Sequence, residues 1–445
     1  MSVKVRFAPS PTGFLHVGNI RTALVNWLFA AKNCGSFVLR IDDTDKERSK
    51  PEFETAIFAD MAWLGLAHHE THKQSERSNS YAAGKQKLLD SGRLYACYET
   101  QEELDVKRKF QLSRGQPPIY DRSALKLSTE QKAAYEAEGR RAHFRFLLND
   151  EKIIWNDLIR GENIFEGHNL SDPVLFREDG VPTYTMSSVV DDGEMNITHV
   201  IRGEDHVSNT AVQIQLFHAL FGRTPEFAHL ALLKTKEGEI SKRLGGFSIQ
   251  DLRSSGVVPL AIHSYLAKLG TSQGVVAAHS MQDLVNSLDF GHFGRAPANY
   301  DFAELERING KVIAGYSYAE AKPYLKEIGV GEWAESFWDI VKTNINRLDE
   351  INTWHQIVSQ PISPVIDDPE FNQIAIAELP KQDWDTSTWG IWTKALQGKT
   401  GRKGKELFMP LRKALTGQDH GPELAKILPL IGREKSLKRL QGIAA

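Results

Sequence analysis

The apolar positions change period twice near the start of the chain. Val3, Val5 and Phe7 recur at every second residue, as in a half-buried strand, and the apolar positions of residues 20–31 follow the i, i+3, i+4, i+7 spacing of an amphipathic helix. The apolar segment SFVLRI at residues 36–41 predicts a second strand. Strand, helix and strand in this order predict a right-handed parallel βαβ unit, in which ligands bind at the carboxyl ends of the strands.

The pattern of residue types changes again after about residue 80. Lys- and Glu-rich helical stretches surround short mixed strands and predict an inserted domain, after which PTYTMSSVVDD and ITHVIRGEDH predict a return of apolar β-rich sequence. The segment NTAVQIQLFHALFG predicts a helix, and this region is expected to complete the parallel sheet. After about residue 301 helical spacing dominates. We therefore predict an α/β domain split between residues 1–80 and 181–235, an inserted domain at 81–180, a further region at 236–305 and a helical domain at 306–445.

Composition narrows the class of protein. The chain has 445 residues, of which 41% are hydrophobic and 25% charged, as in ordinary globular proteins. Its 54 Lys and Arg residues nearly balance 57 Asp and Glu residues, so a polyanion would have to meet a local basic patch. Cys34 and Cys97 are too few for a disulfide framework, and no apolar run reaches membrane-spanning length. The N-terminus lacks the apolar core of a signal peptide, so we expect a reduced, cytoplasmic protein that enters no membrane.

The connection between the first strand and the first helix is unusually rigid. In RFAPSPTGFLHVGN, Pro9 and Pro11 stiffen the backbone and Gly13 permits close approach to a ligand. His16 and Asn19 share one face at a helix N-terminus, where free N–H groups suit a phosphate chain. A single histidine at this position is more often a helix cap, so the whole string is more informative than His16 alone.

The string RFAPSPTGFLHVGNIRTAL resembles the first signature of the glutamyl-tRNA synthetases, a family of class I aminoacyl-tRNA synthetases, with HVGN at the HIGH motif. LRIDDTDKERS, VPTYTMSSVVDD, HVIRGEDHVSNT and ISKR follow in the family's order, the last at the KMSKS loop. With GKELFMPLRKALTG and HGPELAKILPLIGRE, the resemblance covers essentially the whole chain. It implies a class I Rossmann-type catalytic domain, an inserted acceptor-stem-binding domain at 81–180, a KMSKS loop and stem-contact helical domain at 236–305, and a helical anticodon-binding domain at 306–445.

The resemblance also implies a reaction. Glutamate is activated by ATP to glutamyl adenylate, and the glutamyl group passes to the 2'-hydroxyl of the terminal adenosine of tRNA. Such a reaction depends on positioning and on charge stabilisation, with Mg²⁺ assisting. The resemblance assigns the catalytic role to His16 and Lys242. The residues it implies for ATP binding are Thr12, Gly13, His16, Gly18, Asn19, Ser241, Lys242 and Arg243.

Recognition of glutamate needs cations for its side-chain carboxylate. By motif position, Arg6 and Arg202 are similar to the family's carboxylate-binding arginines, because a guanidinium can grip a carboxylate through two N–H groups. The other residues that the resemblance implies for glutamate are Tyr184, near the carboxylate, and Ala8, Ser10 and Asp42, near the α-groups. A simpler alternative puts Arg6 on an exposed strand face and pairs Arg202 with Glu204 or Asp205.

Three departures from the family pattern affect the prediction. Asp42 stands where many relatives have glutamate, so its contact with the amino group is expected to become water-mediated. Glu239 occupies the first lysine position of the KMSKS-like loop and removes one cation there. Cys97 lacks the further cysteines of the zinc knot found in some relatives, so we predict no zinc and no other resident metal.

A basic stretch lies near the C-terminus. We predict contacts with tRNA phosphates for five of its residues, against the alternative of a solubilising face. These residues are Lys394, Lys399, Arg402, Lys403 and Lys405.

Several alternatives remain open. The chain could charge tRNA(Glu), tRNA(Gln) or both, and it could be a glutaminyl enzyme, or a catalytically inactive tRNA-binding regulator, which Glu239 would favour. A truncated paralogue that modifies a tRNA base, or a small-molecule nucleotidyltransferase, would not need the long helical C-terminus. The family resemblance implies a monomer.

Overall fold

The structure, a computed structural model, describes residues 2–235, 238–239, 248–327, 329 and 335–445. By its internal contacts the chain divides into two compact units. The first comprises residues 1–249, 266–274 and 280–300, and the second comprises residues 250–265, 275–279 and 301–445. Among the described residues, no helix combines the length and apolar character needed to cross a membrane.

The first part of the chain mixes strands and helices. The strands are β1 (Lys4–Phe7), β2 (Ser36–Ile41), β3 (Glu70–Lys73), β4 (Leu94–Cys97), β5 (His143–Phe146), β6 (Lys152–Asp157), β7 (Gly161–Glu166), β8 (Val174–Phe176), β9 (His199–Gly203), β10 (Glu226–Leu230), β11 (Leu233–Thr235), β12 (Gly238–Glu239) and β13 (Ala298–Asn299). The helices are α1 (Val17–Lys32), α2 (Pro51–Trp63), α3 (Ser78–Asp90), α4 (Gln101–Ser113), α5 (Thr129–Ala137), α6 (Tyr184–Glu194), α7 (Val207–Phe221), α8 (Ile249–Ser254), α9 (Pro259–Lys268) and α10 (Met281–Ser287).

The rest of the chain is helical, as predicted. Its helices are α11 (Phe302–Gly315), α12 (Tyr318–Glu327), α13 (Glu335–Val341), α14 (Ile351–Ser359), α15 (Pro369–Ala377), α16 (Thr388–Thr400), α17 (Lys405–Thr416), α18 (Leu424–Ile431) and α19 (Arg433–Leu440). Buried side chains at helical spacing hold them together, among them Trp338, Trp354 and Trp392.

The predicted βαβ unit is present at the start of the chain. β1 and β2 pair in parallel, with Lys4 beside Ser36 and Phe7 beside Leu39, and α1 connects them. The connection needs a glycine at position 35, because a Cβ atom there would lie 2.3 Å from the Val3 carbonyl oxygen. β3 extends this sheet in parallel with β2.

The later strands also pair in parallel. β9 and β10 run side by side from Glu226 and His199 to Leu230 and Gly203. The backbone N–H of Thr198 donates to the Lys4 carbonyl at 2.8 Å, so the start of β9 lies next to β1. The carboxyl ends of β1, β9 and β10 therefore point toward one edge.

One secondary-structure prediction was wrong. PTYTMSSVVDD was predicted to be β-rich, but residues Tyr184–Glu194 form helix α6. Met186, Val189, Val190 and Gly193 are buried on it at helical spacing, and tertiary packing outweighs the strand preference of Thr and Val. Gly193 is required by that packing, since a Cβ atom there would lie 2.2 Å from the Phe221 ring.

The hairpin of β6 and β7 lies in the segment predicted as the inserted domain. It pairs with the later strands, because β6 runs parallel to β10 with Asp157 opposite Phe227. β4, β5 and β8 form a separate antiparallel sheet. Asp157 is consequently brought next to the strand that follows α7.

Candidate functional site

A cavity of about 830 Å³ opens at the carboxyl ends of β1, β9 and β10. This is the edge at which the βαβ pattern predicted a ligand. The cavity is lined by every predicted glutamate- and ATP-binding residue that the structure describes, namely Arg6, Ala8, Ser10, Thr12, Gly13, His16, Gly18, Asn19, Asp42, Tyr184 and Arg202. These residues come from four separate segments of the chain.

The rigid connection is anchored to the loops that follow β2. The Asp42 N–H donates to the Pro9 carbonyl and the Lys50 N–H donates to the Pro11 carbonyl, each at 3.0 Å. Both prolines are buried, whereas Ser10 is exposed at the cavity. The backbone of this segment is therefore held on one side and presented to the cavity on the other.

His16 is the N-cap of α1 as well as a wall of the cavity. Its Nδ1 accepts a hydrogen bond from the Gly18 N–H at 3.1 Å, and the Asn19 Oδ1 accepts from the His16 N–H at 3.2 Å. This reciprocal capping box orients the imidazole and the first turn of the helix together. The capping and ligand-binding interpretations of His16 are thus compatible.

Arg6 is buried, so the alternative that placed it on an exposed strand face is wrong. Its Nε donates to both carboxylate oxygens of Asp192, at 3.1 and 3.2 Å. Within the described part of the chain, Nη1 and Nη2 of Arg6 have no hydrogen-bond acceptor from the protein. Arg6 therefore keeps N–H groups available at the cavity.

Asp42 is held by its neighbour Arg40. The Arg40 Nε and Nη2 donate to the two Asp42 oxygens at 2.7 and 3.1 Å, and its Nη1 donates to Asp192 at 2.7 Å. Burial raises the pKa of Asp42 to about 6, against the opposing attraction of Arg40. Asp42 thus titrates close to neutral pH.

Arg202 is held by neutral groups. Its Nη1 donates to the Tyr184 hydroxyl at 3.1 Å, and its Nη2 donates to Thr210 Oγ1 at 2.6 Å and to Gln213 Oε1 at 2.7 Å. Among the residues that the structure describes, no carboxylate lies within 4 Å of its guanidinium. Burial lowers the pKa of Arg202, so an anion at this position would relieve an unpaired buried charge.

The alternative that pairs Arg202 with Glu204 or Asp205 is therefore wrong. Glu204 instead accepts from Arg160 Nη1 at 2.5 Å and from the Leu232 N–H at 3.1 Å. Asp205 lies 3.6 Å from His206 Nε2. The two acids following Arg202 along the chain are thus directed elsewhere.

Five further polar residues line the cavity and were not predicted, namely Arg21, Thr22, Asp205, His206 and Lys234. Asp205 and His206 lie within the quoted segment HVIRGEDHVSNT, so the motif contained the signal that would have identified them. Burial lowers the pKa of His206 to about 4, so its imidazole is neutral at pH 7. Its ring lies 5.2 Å from that of Tyr184.

The predicted loop residues Ser241, Lys242 and Arg243 lie outside the described residues. The backbone of Glu239 pairs with that of Lys234 in the antiparallel pair of β11 and β12. Lys234, the partner of Glu239 in this pair, also lines the cavity.

Comparison with known proteins identifies the family. Residues 2–306 match the catalytic domain of class I tRNA synthetases (E and Q), and residues 317–444 match an anticodon binding domain. The chain belongs to the class I tRNA synthetases of the E and Q type. Its fold is the class I tRNA synthetase fold with a helical anticodon-binding region, as predicted.

Individual relatives cover the whole of this class I tRNA synthetase. Glutamate--tRNA ligase 2 of a Methylobacterium species is 51% identical over 447 residues, covering 100% of both chains. Glutamate--tRNA ligase 1 of Maricaulis maris is 49% identical over 444 residues, covering 99% of this chain and 100% of its own. A crystal structure of a glutamate tRNA ligase from Elizabethkingia meningosepticum, in complex with its amino acid, matches with a TM-score of 0.84 and 28% identity over 99% of each chain.

The synthetase has one group of three metal-ligating side chains among its described residues. The ligand atoms of Cys97, Glu99 and His143 lie within 4.8 Å of one another. Glu99 Oε1 accepts from the Tyr120 and Ser123 hydroxyls at 2.6 and 2.9 Å, and burial raises the pKa of the Cys97 thiol to about 11. Glu99 is two residues from Cys97, but the group was missed because only the antiparallel pairing of β4 and β5 places His143 opposite Cys97.

The predicted tRNA-binding residues lie in the middle and at the end of α16, in the following loop and at the start of α17. The four lysines among them are exposed, and Arg402 is half-buried. Arg402 Nη1 lies 2.8 Å from Asp368 and its guanidinium stacks 4.5 Å above the Phe371 ring, while Lys399 lies 3.5 Å from Glu378. No carboxylate in the described part of the synthetase lies within 4 Å of Lys394, Lys403 or Lys405.

Proposed function

We propose that this chain is a glutamate–tRNA ligase that activates L-glutamate with ATP and esterifies the 2'-hydroxyl of the terminal adenosine of tRNA. The glutamate α-carboxylate attacks the α-phosphorus of ATP, giving glutamyl adenylate and pyrophosphate. The ribose hydroxyl then attacks the acyl carbon and AMP leaves. The observation that carries the proposal is the buried Arg202, which no described carboxylate pairs, in the same cavity as the capped start of α1.

Arg202, Arg6 and Tyr184 are the proposed contacts of the glutamate side-chain carboxylate. A carboxylate between the arginines would receive charge-assisted hydrogen bonds in a water-poor pocket, where such bonds are strongest. The unpaired charge of Arg202 favours glutamate over the neutral amide of glutamine. This selectivity argues against the glutaminyl alternative.

The α-groups of glutamate need different partners. Ser10 and the backbone around Ala8 are the proposed contacts near the α-carboxylate, and Asp42 attracts the amino group. Since Arg40 already donates to both Asp42 oxygens, we propose that the amino group reaches Asp42 through water.

ATP is proposed to bind along the start of α1. The helix dipole attracts its phosphates, while Thr12, Gly13, Gly18 and Asn19 shape the wall. His16 is proposed to stabilise charge that develops on the leaving pyrophosphate. From the motif, Lys242 adds a second cation, with Ser241 and Arg243 beside it.

Mg²⁺ is proposed to enter with ATP and to neutralise phosphate charge. Of the two carboxylates among the described residues lining the cavity, Asp205 fits such a cation, because both Asp42 oxygens are bonded to Arg40. We propose no structural zinc, since Cys97, Glu99 and His143 provide three donors rather than the four of a structural site.

The tRNA is proposed to contact the exposed Lys394, Lys403 and Lys405, with Lys399 and Arg402 contributing less because acids already hold them. We propose a cytoplasmic monomer that charges tRNA(Glu). Glu239 departs from the family pattern and raises the alternative of a specialised copy of the enzyme. For such a copy, tRNA(Gln) is the second candidate substrate.

The test is aminoacylation with labelled glutamate and ATP on separate tRNA(Glu) and tRNA(Gln), each native and unmodified. Charging of tRNA(Glu) alone supports a discriminating ligase, and charging of tRNA(Gln) supports the second candidate. Binding of tRNA without charging of either would contradict the proposal and favour a regulatory protein.

A further inference from the structure

Two fully buried ionisable residues lie behind Arg202 and outside the cavity lining. Asp157 is the last residue of β6 and is 1% exposed, and His229 lies on β10 and is 0% exposed. Parallel pairing of these strands brings the two side chains together. Neither has a role in the proposed chemistry.

Asp157 is fixed by four donors. Its Oδ1 accepts from the backbone N–H groups of Ile159, Arg160 and His229, at 3.0, 2.9 and 3.2 Å. Its Oδ2 lies 2.5 Å from His229 Nδ1. Burial opposes ionisation, but these hydrogen bonds hold the pKa of Asp157 below its ordinary value, so the carboxylate is charged.

The contact with Asp157 determines which nitrogen of His229 carries hydrogen. Nδ1 faces a carboxylate and therefore donates. Burial and the nearby Arg202 lower the pKa of His229, so the ring is neutral and Nε2 is an acceptor. Arg202 Nε donates to this Nε2 at 3.3 Å, and the Thr210 hydroxyl oxygen lies 3.0 Å from the same nitrogen.

A neutral acceptor leaves the positive charge of Arg202 unpaired, whereas a carboxylate would neutralise it. Direct contact with Asp157 would satisfy the Arg202 N–H group and also neutralise the guanidinium. His229 satisfies the N–H group and leaves the positive charge for a substrate. With Nη2 already bonded to Thr210 and Gln213, the acceptor at Nε fixes the guanidinium plane and leaves the Nη1 edge beside Tyr184.

We propose that Asp157 and His229 are positioning residues for glutamate selection, which orient Arg202 through a neutral imidazole and keep its charge available to the substrate carboxylate. This inference rests on the proposed role of Arg202 and extends it. Asp157 sets the tautomer of His229, His229 supplies the acceptor for Arg202, and Arg202 makes the substrate contact. We call these three residues the relay.

Substitutions can separate the two nitrogens of His229. In His229→Gln, the amide oxygen can occupy the Nε2 position and accept from Arg202. In His229→Asn, the shorter amide can donate to Asp157 but does not reach Arg202. In Asp157→Asn, the amide donates to His229 Nδ1, so the imidazole hydrogen moves to Nε2. Arg202 Nε and His229 Nε2 would then face each other as two donors.

The experiment measures KM for glutamate, KM for ATP and kcat in tRNA aminoacylation by the full chain, with melting temperature as the folding check. We expect His229→Asn and Asp157→Asn to raise the glutamate KM about tenfold, and His229→Gln to change it less than about threefold. The ATP KM should change less than about twofold in all three. A merely structural role would not produce this separation between His229→Gln and His229→Asn.

Arg202→Ala provides the reference. It should raise the glutamate KM the most, and adding His229→Asn to it should cause no further rise, because the relay acts only through Arg202. If Arg202→Ala raises the glutamate KM but folded His229→Asn and Asp157→Asn do not, the relay is refuted and the role of Arg202 stands. If Arg202→Ala leaves the glutamate KM unchanged, both proposals are refuted.

Should His229→Asn fail to fold, Asp157→Asn with Arg202→Ala decides the matter by the same comparison. Equal rises in the KM of glutamate and ATP would also overturn the relay, since they would indicate general damage to the cavity.

Discussion

The cavity and the basic stretch at residues 394–405 both present cations, but they control them differently. In the cavity, Arg6 and Arg202 are buried and their protein partners leave N–H groups for a ligand. In the basic stretch, Arg402 is held by Asp368, whereas Lys403 and Lys405 are exposed. A buried cation with N–H groups that the protein leaves unpaired is selective for an anionic ligand. An exposed cation adds only a small, salt-sensitive attraction.

The largest expected effect separates chemistry from tRNA affinity. His16→Ala should slow adenylate formation on the order of 100-fold, as loss of one charge-stabilising donor does, and should leave tRNA affinity unchanged. Pyrophosphate exchange in the presence of tRNA, together with filter binding of tRNA, measures both quantities.

His16→Asn is the matched control for that substitution. Asparagine can cap α1 as histidine does but lacks the imidazole, so a loss of rate in both variants assigns the effect to the ring. If His16→Asn retains full rate, the histidine acts only as a cap. Equal losses in rate and tRNA affinity would erase the distinction between the two regions.

The next effect is a dependence of glutamate affinity on pH. Because the pKa of Asp42 is about 6, its carboxylate becomes ionised between pH 5 and 7 and then attracts the amino group. The glutamate KM should fall about tenfold over this interval, and Asp42→Asn should flatten the profile. A profile that Asp42→Asn leaves unchanged would remove Asp42 from the α-group site.

The same group should act on stability with the opposite sign. The pKa of Asp42 is raised above its ordinary value of 3.8, so its contribution to the free energy of unfolding is fully present below about pH 4 and is lost as pH rises through 6. Thermal unfolding of the wild type and Asp42→Asn across this range checks the sign.

A smaller effect is expected in the basic stretch. Alanine at Lys394, Lys403 or Lys405 should weaken tRNA binding about twofold each and should reduce the salt dependence of binding, without changing adenylate formation. Arg402→Ala is the comparison, and we expect less change in the salt dependence because Asp368 already neutralises that cation. A larger loss with Arg402→Ala would reverse this ranking.

The smallest effect concerns Cys97. Cys97→Ser should leave activity within about twofold and the metal content unchanged, since the group of Cys97, Glu99 and His143 lacks a fourth donor. Elemental analysis of the purified protein provides the readout. One zinc per chain that disappears in Cys97→Ser would contradict the proposal.

Local pattern predicted the strand–helix–strand start of the chain well, and a cavity lies at the sheet edge where a ligand was expected. Residues 3–41 alternate and then repeat at helical spacing, and the parallel pair of β1 and β2 follows from it. The same reasoning failed at residues 184–194, where β-branched residues suggested strand and packing produced α6. Periodicity predicts which face of an element is buried, but in a short apolar segment it does not distinguish a strand from a helix.

The βαβ start, the ordered synthetase motifs, the histidine at the start of α1 and the basic stretch could all be recognised in the sequence, because each depends on residues close together in the chain. The charge pairs between distant residues follow from the tertiary structure. Arg6 meets Asp192 across 186 residues, and Asp157 meets His229 across 72. Which cation keeps its charge for a ligand depends on such distant partners, and no local spacing encodes them.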